Sequence, residues 1–139
     1  MADAKAGGPG DRLTAIMDEV LAFRDARDWR QFHAPKELAS ALGIEAGELQ
    51  ELFLWRGIET AEEVRADAER MAEIRDEAAD VATLLFLFCR DLDIDLVEAV
   101  RNKLAKTARR YPVEEWRGRR GKAPPLPEES GERRSAEPR

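Results

Sequence analysis

Apolar residues along the chain recur at helical spacing rather than in alternation. Leu13, Ile16, Met17, Val20 and Leu21 stand three or four positions apart with charge between them, which predicts a first helix over about 11–28. The pattern breaks at Trp29-Arg30-Gln31-Phe32-His33. Pro35 follows at a position where a helix tolerates a missing N–H, its first turn. Leu38, Leu42, Leu49, Leu52 and Phe53 carry a second helix to about Leu54, and Arg56-Gly57 ends it. Thr60 with Glu63 is a capping-box signature, predicting a third, long helix to about Arg90. Asp95 with Glu98 repeats the signature for a fourth helix bearing Leu96, Val97, Val100 and Leu104, and Pro112 stops it. No strand-like alternation or internal repeat competes with this reading. The expected fold is all-α, with four main helices.

Composition narrows the picture. A chain of 139 residues suits one domain with a modest core. With 37% charged and 6% aromatic residues, it suits helices with a well-solvated surface. The net charge of -6 argues against nucleic acid or an anionic membrane as partner. An anionic ligand would need a local source of positive charge, and a bound cation is the simplest one. Cys89 is the lone cysteine, so no internal disulfide can form and a reducing cytoplasm is the expected home. The longest apolar run, Val81 to Cys89, is far short of the roughly 20 residues that span a bilayer. Residues 1–10 lack an apolar core and read as a flexible N-terminus. Gly118, Gly121, Pro124, Pro125 and Pro127 among many charges predict a disordered tail over 118–139, leaving a domain over about 11–117.

The chemistry is concentrated in two acidic doublets on different helices, Glu45/Glu48 and Glu77/Asp80. Residues three apart share a helix face, so each doublet projects two carboxylates one way. Glu45 falls about 20° from Leu38 around the second helix, inside its apolar stripe, and Glu48 lies at the edge. Glu77 projects on the side of Leu84 and Phe88, with Asp80 close by. The run from Val81 to Cys89 is apolar almost all round, as in a helix buried on every side. Other acidic pairs, such as Glu62/Glu63 and Glu69/Glu73, read as solvated faces. Buried carboxylates without partners cost several kcal/mol, so four brought together by antiparallel helices need a cation or protons. The donors are all oxygen. The single histidine, His33, lies outside both doublets, which argues against di-iron and zinc sites and leaves Mg²⁺ or Mn²⁺.

Four segments in order carry a specific resemblance. Glu45-Ala46-Gly47-Glu48 and then Glu77-Ala78-Ala79-Asp80 resemble the paired ExxE and ExxD motif of MazG-like pyrophosphohydrolases. Arg27-Asp28-Trp29-Arg30-Gln31-Phe32-His33 resembles the RDW-x-QFH segment of the family's dCTP pyrophosphatase branch. Glu51-Leu52-Phe53-Leu54-Trp55 is similar to its ELFxW segment, and Arg110-Tyr111-Pro112 to the RYP closing its last helix. The likeness implies a helical bundle completed as a homodimer or homotetramer. It also implies Mg²⁺ held by the four acids and a nucleoside triphosphate substrate, split to its monophosphate and pyrophosphate. Trp29, Arg30, Gln31, Phe32, His33 and Trp55 would then serve the nucleoside, with Leu84 at the sugar. Lys103, Arg110 and Tyr111 would face the phosphates. Glu48 is the first choice to activate water and Glu45 the second.

Val20, Leu84 and Thr107 depart from residues common in the family, a histidine, a tyrosine and an asparagine. These departures touch sugar and base preference, not the acids. The expected substrate is dCTP or a modified form. The alternatives are a broad-specificity or dUTP-preferring pyrophosphatase, or a non-catalytic helical partner protein.

Overall fold

The computed structural model describes residues 9–126. Residues 1–8 and 127–139, within the segments expected to be flexible, lie outside the described residues. Helix α1 spans Pro9–Asp25, α2 Pro35–Glu51, α3 Ala61–Ala66, α4 Ala68–Asp91, α5 Leu96–Arg110 and α6 Val113–Trp116. A single 3₁₀ turn, Trp29–Phe32, precedes α2. There is no strand among the described residues, and four helices are long, as expected. No helix is long and apolar enough to cross a membrane. The chain forms two compact units, one ending at Ile94 and one beginning at Asp95.

Local chemistry sets most boundaries. Pro35 opens α2 in its first turn. Thr60 and Glu63 form the reciprocal capping box, with the Thr60 N–H donating to Glu63 at 2.7 Å and the Glu63 N–H donating to Thr60 Oγ1 at 3.3 Å. Asp95 accepts from the Glu98 N–H at 2.9 Å to start α5.

Two boundaries correct the sequence reading. The third helix is not continuous from Thr60: Asp67 leaves helical geometry at ψ 95, ending α3 and capping α4 through a bond from the Arg70 N–H to its carboxylate at 3.0 Å. Helix α2 also stops at Glu51, before the expected Leu54, and the next residues turn back.

Helix α4 is the axis of the first unit, with α2 packed along it and α1 against it. Met17, Leu38, Leu87 and Cys89 are buried there, together with two charged residues, Arg24 and Arg70. Arg24, with a side chain only 4% exposed, donates through Nη1 to both oxygens of Asp91 at 2.8 and 3.0 Å and through Nε to Asp25. Arg90 reaches Asp18 at 3.2 Å, so the end of α4 is tied to α1 twice. The run from Val81 to Cys89 is not buried on every side within one chain. Leu87 and Cys89 are, whereas Val81 to Phe86 and Phe88 remain half-buried. The remaining face meets too little of the same chain to be covered.

In the second unit α5 has no buried residue, and Val97, Val100 and Leu104 are 37%, 49% and 63% exposed. Of the segment expected to be disordered, 118–126 is described. It has no helix or strand, yet Ala123 is buried and its carbonyl accepts from Arg110 Nε at 3.1 Å. The Ala123 N–H donates to the Tyr111 hydroxyl at 3.2 Å, and Tyr111 stacks edge-on against Trp116. This stretch is therefore pinned to the end of α5.

Removing one partner of a buried ion pair leaves the other charge uncompensated, which costs several kcal/mol. Asp91→Ala is expected to lower unfolding free energy by about 3 kcal/mol, measurable as a shift of the urea midpoint. The exposed partner substitution Asp18→Ala should shift it by less than about 1 kcal/mol.

Candidate metal centre

The end of α2 meets the start of α4, where the Leu52 carbonyl accepts from Arg70, and earlier turns of α2 meet later turns of α4. The helices therefore run antiparallel. This direction brings the two acidic doublets together. Glu45, Glu48 and Glu77 each offer a carboxylate oxygen, and these oxygens all lie within 4.8 Å of one another. Asp80 is not within that group, although its charge acts on both Glu45 and Glu77. Glu45 and Glu77 are half-buried, while Glu48 is exposed.

Electrostatics record the crowding. Loss of hydration, followed by the charges of Glu48, Asp80 and Glu77, holds the Glu45 carboxyl above its ordinary pKa. Loss of hydration, followed by the charges of Glu48, Asp80, Asp76 and Glu73, does the same for Glu77. Glu77 Oε2 is buried with no hydrogen-bond partner. Buried polar atoms are almost always satisfied, and here the near neighbours are other acceptors. A hard cation fits this gap: it takes oxygen ligands and relieves repulsion at one stroke. The residues present thus suit Mg²⁺ or Mn²⁺ and offer nothing softer.

The remaining expected site residues lie on several elements, some in each unit. Trp29 packs edge-on against Phe23 at 5.9 Å, with the Arg27 guanidinium 3.6 Å above the Phe23 ring. Gln31 donates to both the Asp28 carbonyl and its carboxylate, so its amide serves its own turn. Arg30 is exposed and Phe32 is 65% exposed. His33 is half-buried, and its Nδ1 is buried with no hydrogen-bond partner. Trp55 is fully exposed at 99% and sits at φ 60, in left-handed geometry that is rare for a bulky residue. Leu84 is half-buried on α4.

In the second unit, Lys103, Arg110 and Tyr111 line a pocket of about 200 Å³ together with Lys106 and Thr107. The sequence reading missed Lys106 as a member of this basic face. Its spacing from Lys103 and Arg110, three and then four positions, was the available signal.

A profile of the MazG-like family matches residues 41–123, more than half of the chain. The chain belongs to the MazG-like family. The matched stretch contains all four acids, Trp55 and the α5 pocket. Two curated relatives are both named dCTP pyrophosphatase 1. The mouse protein (Mus musculus) is 39% identical over 120 residues, 86% of this chain and 70% of its own length. The human protein (Homo sapiens) is 38% identical over 106 residues, 76% of this chain. The chain spans 62% of the human and bovine proteins' length. A solved pyrophosphatase from Archaeoglobus fulgidus superposes with TM-score 0.66 at 37% identity, covering 73% of this chain and 93% of that one. The family match covers the segments of α2 and α4 that carry Glu45, Glu48, Glu77 and Asp80.

A carboxyl whose folded pKa is raised binds its proton more tightly folded than unfolded. It favours the fold below its unfolded pKa, and that contribution is lost as pH rises through the folded value. In EDTA, Glu77→Gln is therefore expected to melt above the parent at neutral pH. The gap should close as pH falls through the upper carboxylate range. Added Mg²⁺ should stabilise the parent more than the variant. Thermal melts at several pH values check all three; a pH-independent gap would place Glu77 outside the repulsive cluster.

Proposed function

We propose that this chain hydrolyses a nucleoside triphosphate, dCTP or a modified dCTP, to the monophosphate and pyrophosphate, in the cytoplasm and in the service of nucleotide-pool sanitation. The observation that carries the reading is the group of Glu45, Glu48 and Glu77, with its unpartnered Glu77 oxygen, in a family whose curated relatives bear that name. Glu45, Glu48, Glu77 and Asp80 would hold Mg²⁺ or Mn²⁺. The chemistry a cation would supply there is polarisation of phosphate oxygens and neutralisation of charge on the leaving pyrophosphate. Glu48, the exposed member of the cluster, orients or deprotonates the attacking water, and Glu45 is the second choice for that role. Water attacks the α-phosphorus, and the bond to the oxygen bridging α and β phosphorus breaks. Lys103, Arg110 and Tyr111 offer donors to the phosphates in a chain that is otherwise acidic.

The nucleoside side falls to Trp29, His33 and Trp55, with Arg30, Gln31 and Phe32 as the segment carrying the first two. His33, half-buried at the end of this segment, has a buried Nδ1 without a protein partner. Self-association as a homodimer or homotetramer accounts for the apolar side chains that one chain leaves open, among them Ile16, Phe23, Val100 and Leu104. Intact acids at all four motif positions disfavour a purely non-catalytic role.

A panel of nucleoside triphosphates with Mg²⁺, scored for pyrophosphate release, tests the reading. Turnover should vanish in excess EDTA and fall about 100-fold or more in Glu45→Gln. Equal rates with and without chelator would rule the cation out. Leu84 presents an apolar wall that accepts a deoxy sugar, and apolar walls discriminate weakly against an added hydroxyl. The expected preference for dCTP over CTP is therefore modest, about tenfold, and Leu84→Tyr should change it. A dUTP preference in the same panel would favour the alternative substrate.

A further inference from the structure

We infer that Arg70 is a positioning residue for the nucleoside side of the site: it sets the backbone of the loop that presents Trp55. The inference rests on the reading of Trp55 as a substrate-facing residue. Nothing in the proposed chemistry uses Arg70, yet it is one of two charged residues buried among those described, at 5% exposure. Its own backbone is fixed, since its N–H donates to the Asp67 carboxylate at the start of α4.

From that base the guanidinium reaches across to the loop following α2. Nε donates to the Leu52 carbonyl at 3.2 Å, one of the acceptors a helix end leaves open. Nη1 donates to both oxygens of Glu59 at 2.9 and 3.0 Å. The Phe53 ring lies 4.7 Å from the guanidinium carbon. Arg70 thus holds the chain at Leu52 and Phe53 on one side of Trp55 and at Glu59 on the other.

The Trp55 side chain does not hold itself in place. Its side chain is fully exposed, it makes no ring contact, and its backbone stands at φ 60. A bulky L-residue keeps that conformation only where its surroundings impose it. Gly57, two residues on, leaves the loop free to relax if released. The restraint must come through the backbone: the Phe53 and Leu54 N–H groups bond back to Gln50 and Glu51, Arg56 lies 3.9 Å from Glu59, and among these groups Arg70 is the one that holds the chain on both sides of Trp55. Arginine suits the task because its planar fork serves a carbonyl and a carboxylate at once; lysine offers one nitrogen and cannot span both.

The test is a double-mutant cycle on the full chain, with dCTP and saturating Mg²⁺, combining Arg70→Lys with Trp55→Ala. Arg70→Lys is expected to raise KM about tenfold, equivalent to 1.4 kcal/mol, with kcat within about twofold. In the Trp55→Ala background the same change should be nearly silent, since no indole remains to be positioned. Glu59→Gln, a milder lesion, should give the same KM-directed effect at smaller size. Tryptic cleavage after Arg56 should quicken in both single variants at unchanged substrate-free conditions.

Equal Arg70→Lys effects with and without Trp55, an effect confined to kcat, or unaltered cleavage at Arg56 would each overturn the inference and leave Arg70 a stabiliser of the fold. If Trp55→Ala leaves KM unchanged, the substrate-facing reading of Trp55 fails first, and this inference with it.

Discussion

Mutual repulsion among carboxylates at the contact of α2 and α4 is the constraint around which the first unit is built. Three acids with oxygens within 4.8 Å of one another push the two helices apart, and hydration is partly withdrawn from two of them. Something must hold the helices together around them. Arg70, in the first turn of α4, ties that helix to the loop after α2, while at its other end Asp91 is clasped by Arg24 of α1, which holds α4 to α1. Glu77 lies roughly midway.

A single chain buries few large side chains, and α5 buries none. Its amphipathic pattern is nonetheless strong, with Val97, Val100 and Leu104 at helical spacing. A helix of this kind obtains most of its stability from a packed face rather than from propensity. The stretch from Val81 to Phe88 repeats the point within α4. Sequence patterning for a fully covered helix, in a chain that only half covers it, accords with the proposed self-association.

Much of the fold was legible because it is specified by local rules. Pro35, the Thr60/Glu63 box and Asp95 each announce a helix start through chemistry confined to one turn. The acidic doublets were legible for the same reason: spacing on a helix fixes direction, and antiparallel packing does the rest. The failures are non-local. Ala66, Ala68 and the charges around them favour a helix, so the break at Asp67 was masked by good helix formers. Leu52 and Phe53 continue the apolar period of α2, yet the chain turns there to meet Arg70 from 18 and 17 positions away. The burial of Arg70 itself depends on that meeting and has no signature in its neighbours. Ala123 was likewise read as part of a structureless tail, because its partners, Arg110 and Tyr111, lie twelve or more residues upstream.

The break at Asp67 has a bearing on how such a chain can vary. Because α4 begins from its own cap, its register does not depend on α3 or on the loop before it. An insertion or deletion between Val64 and Ala66 would be absorbed upstream of Asp67, where the backbone already leaves helical geometry. In an unbroken helix, each added residue would rotate everything downstream by about 100° and swing Glu77 and Asp80 away from their partners. Asp67 thus works as a phase reset: the end of α3 ahead of it is open to lengthening or shortening, while the carboxylates behind it keep their aim.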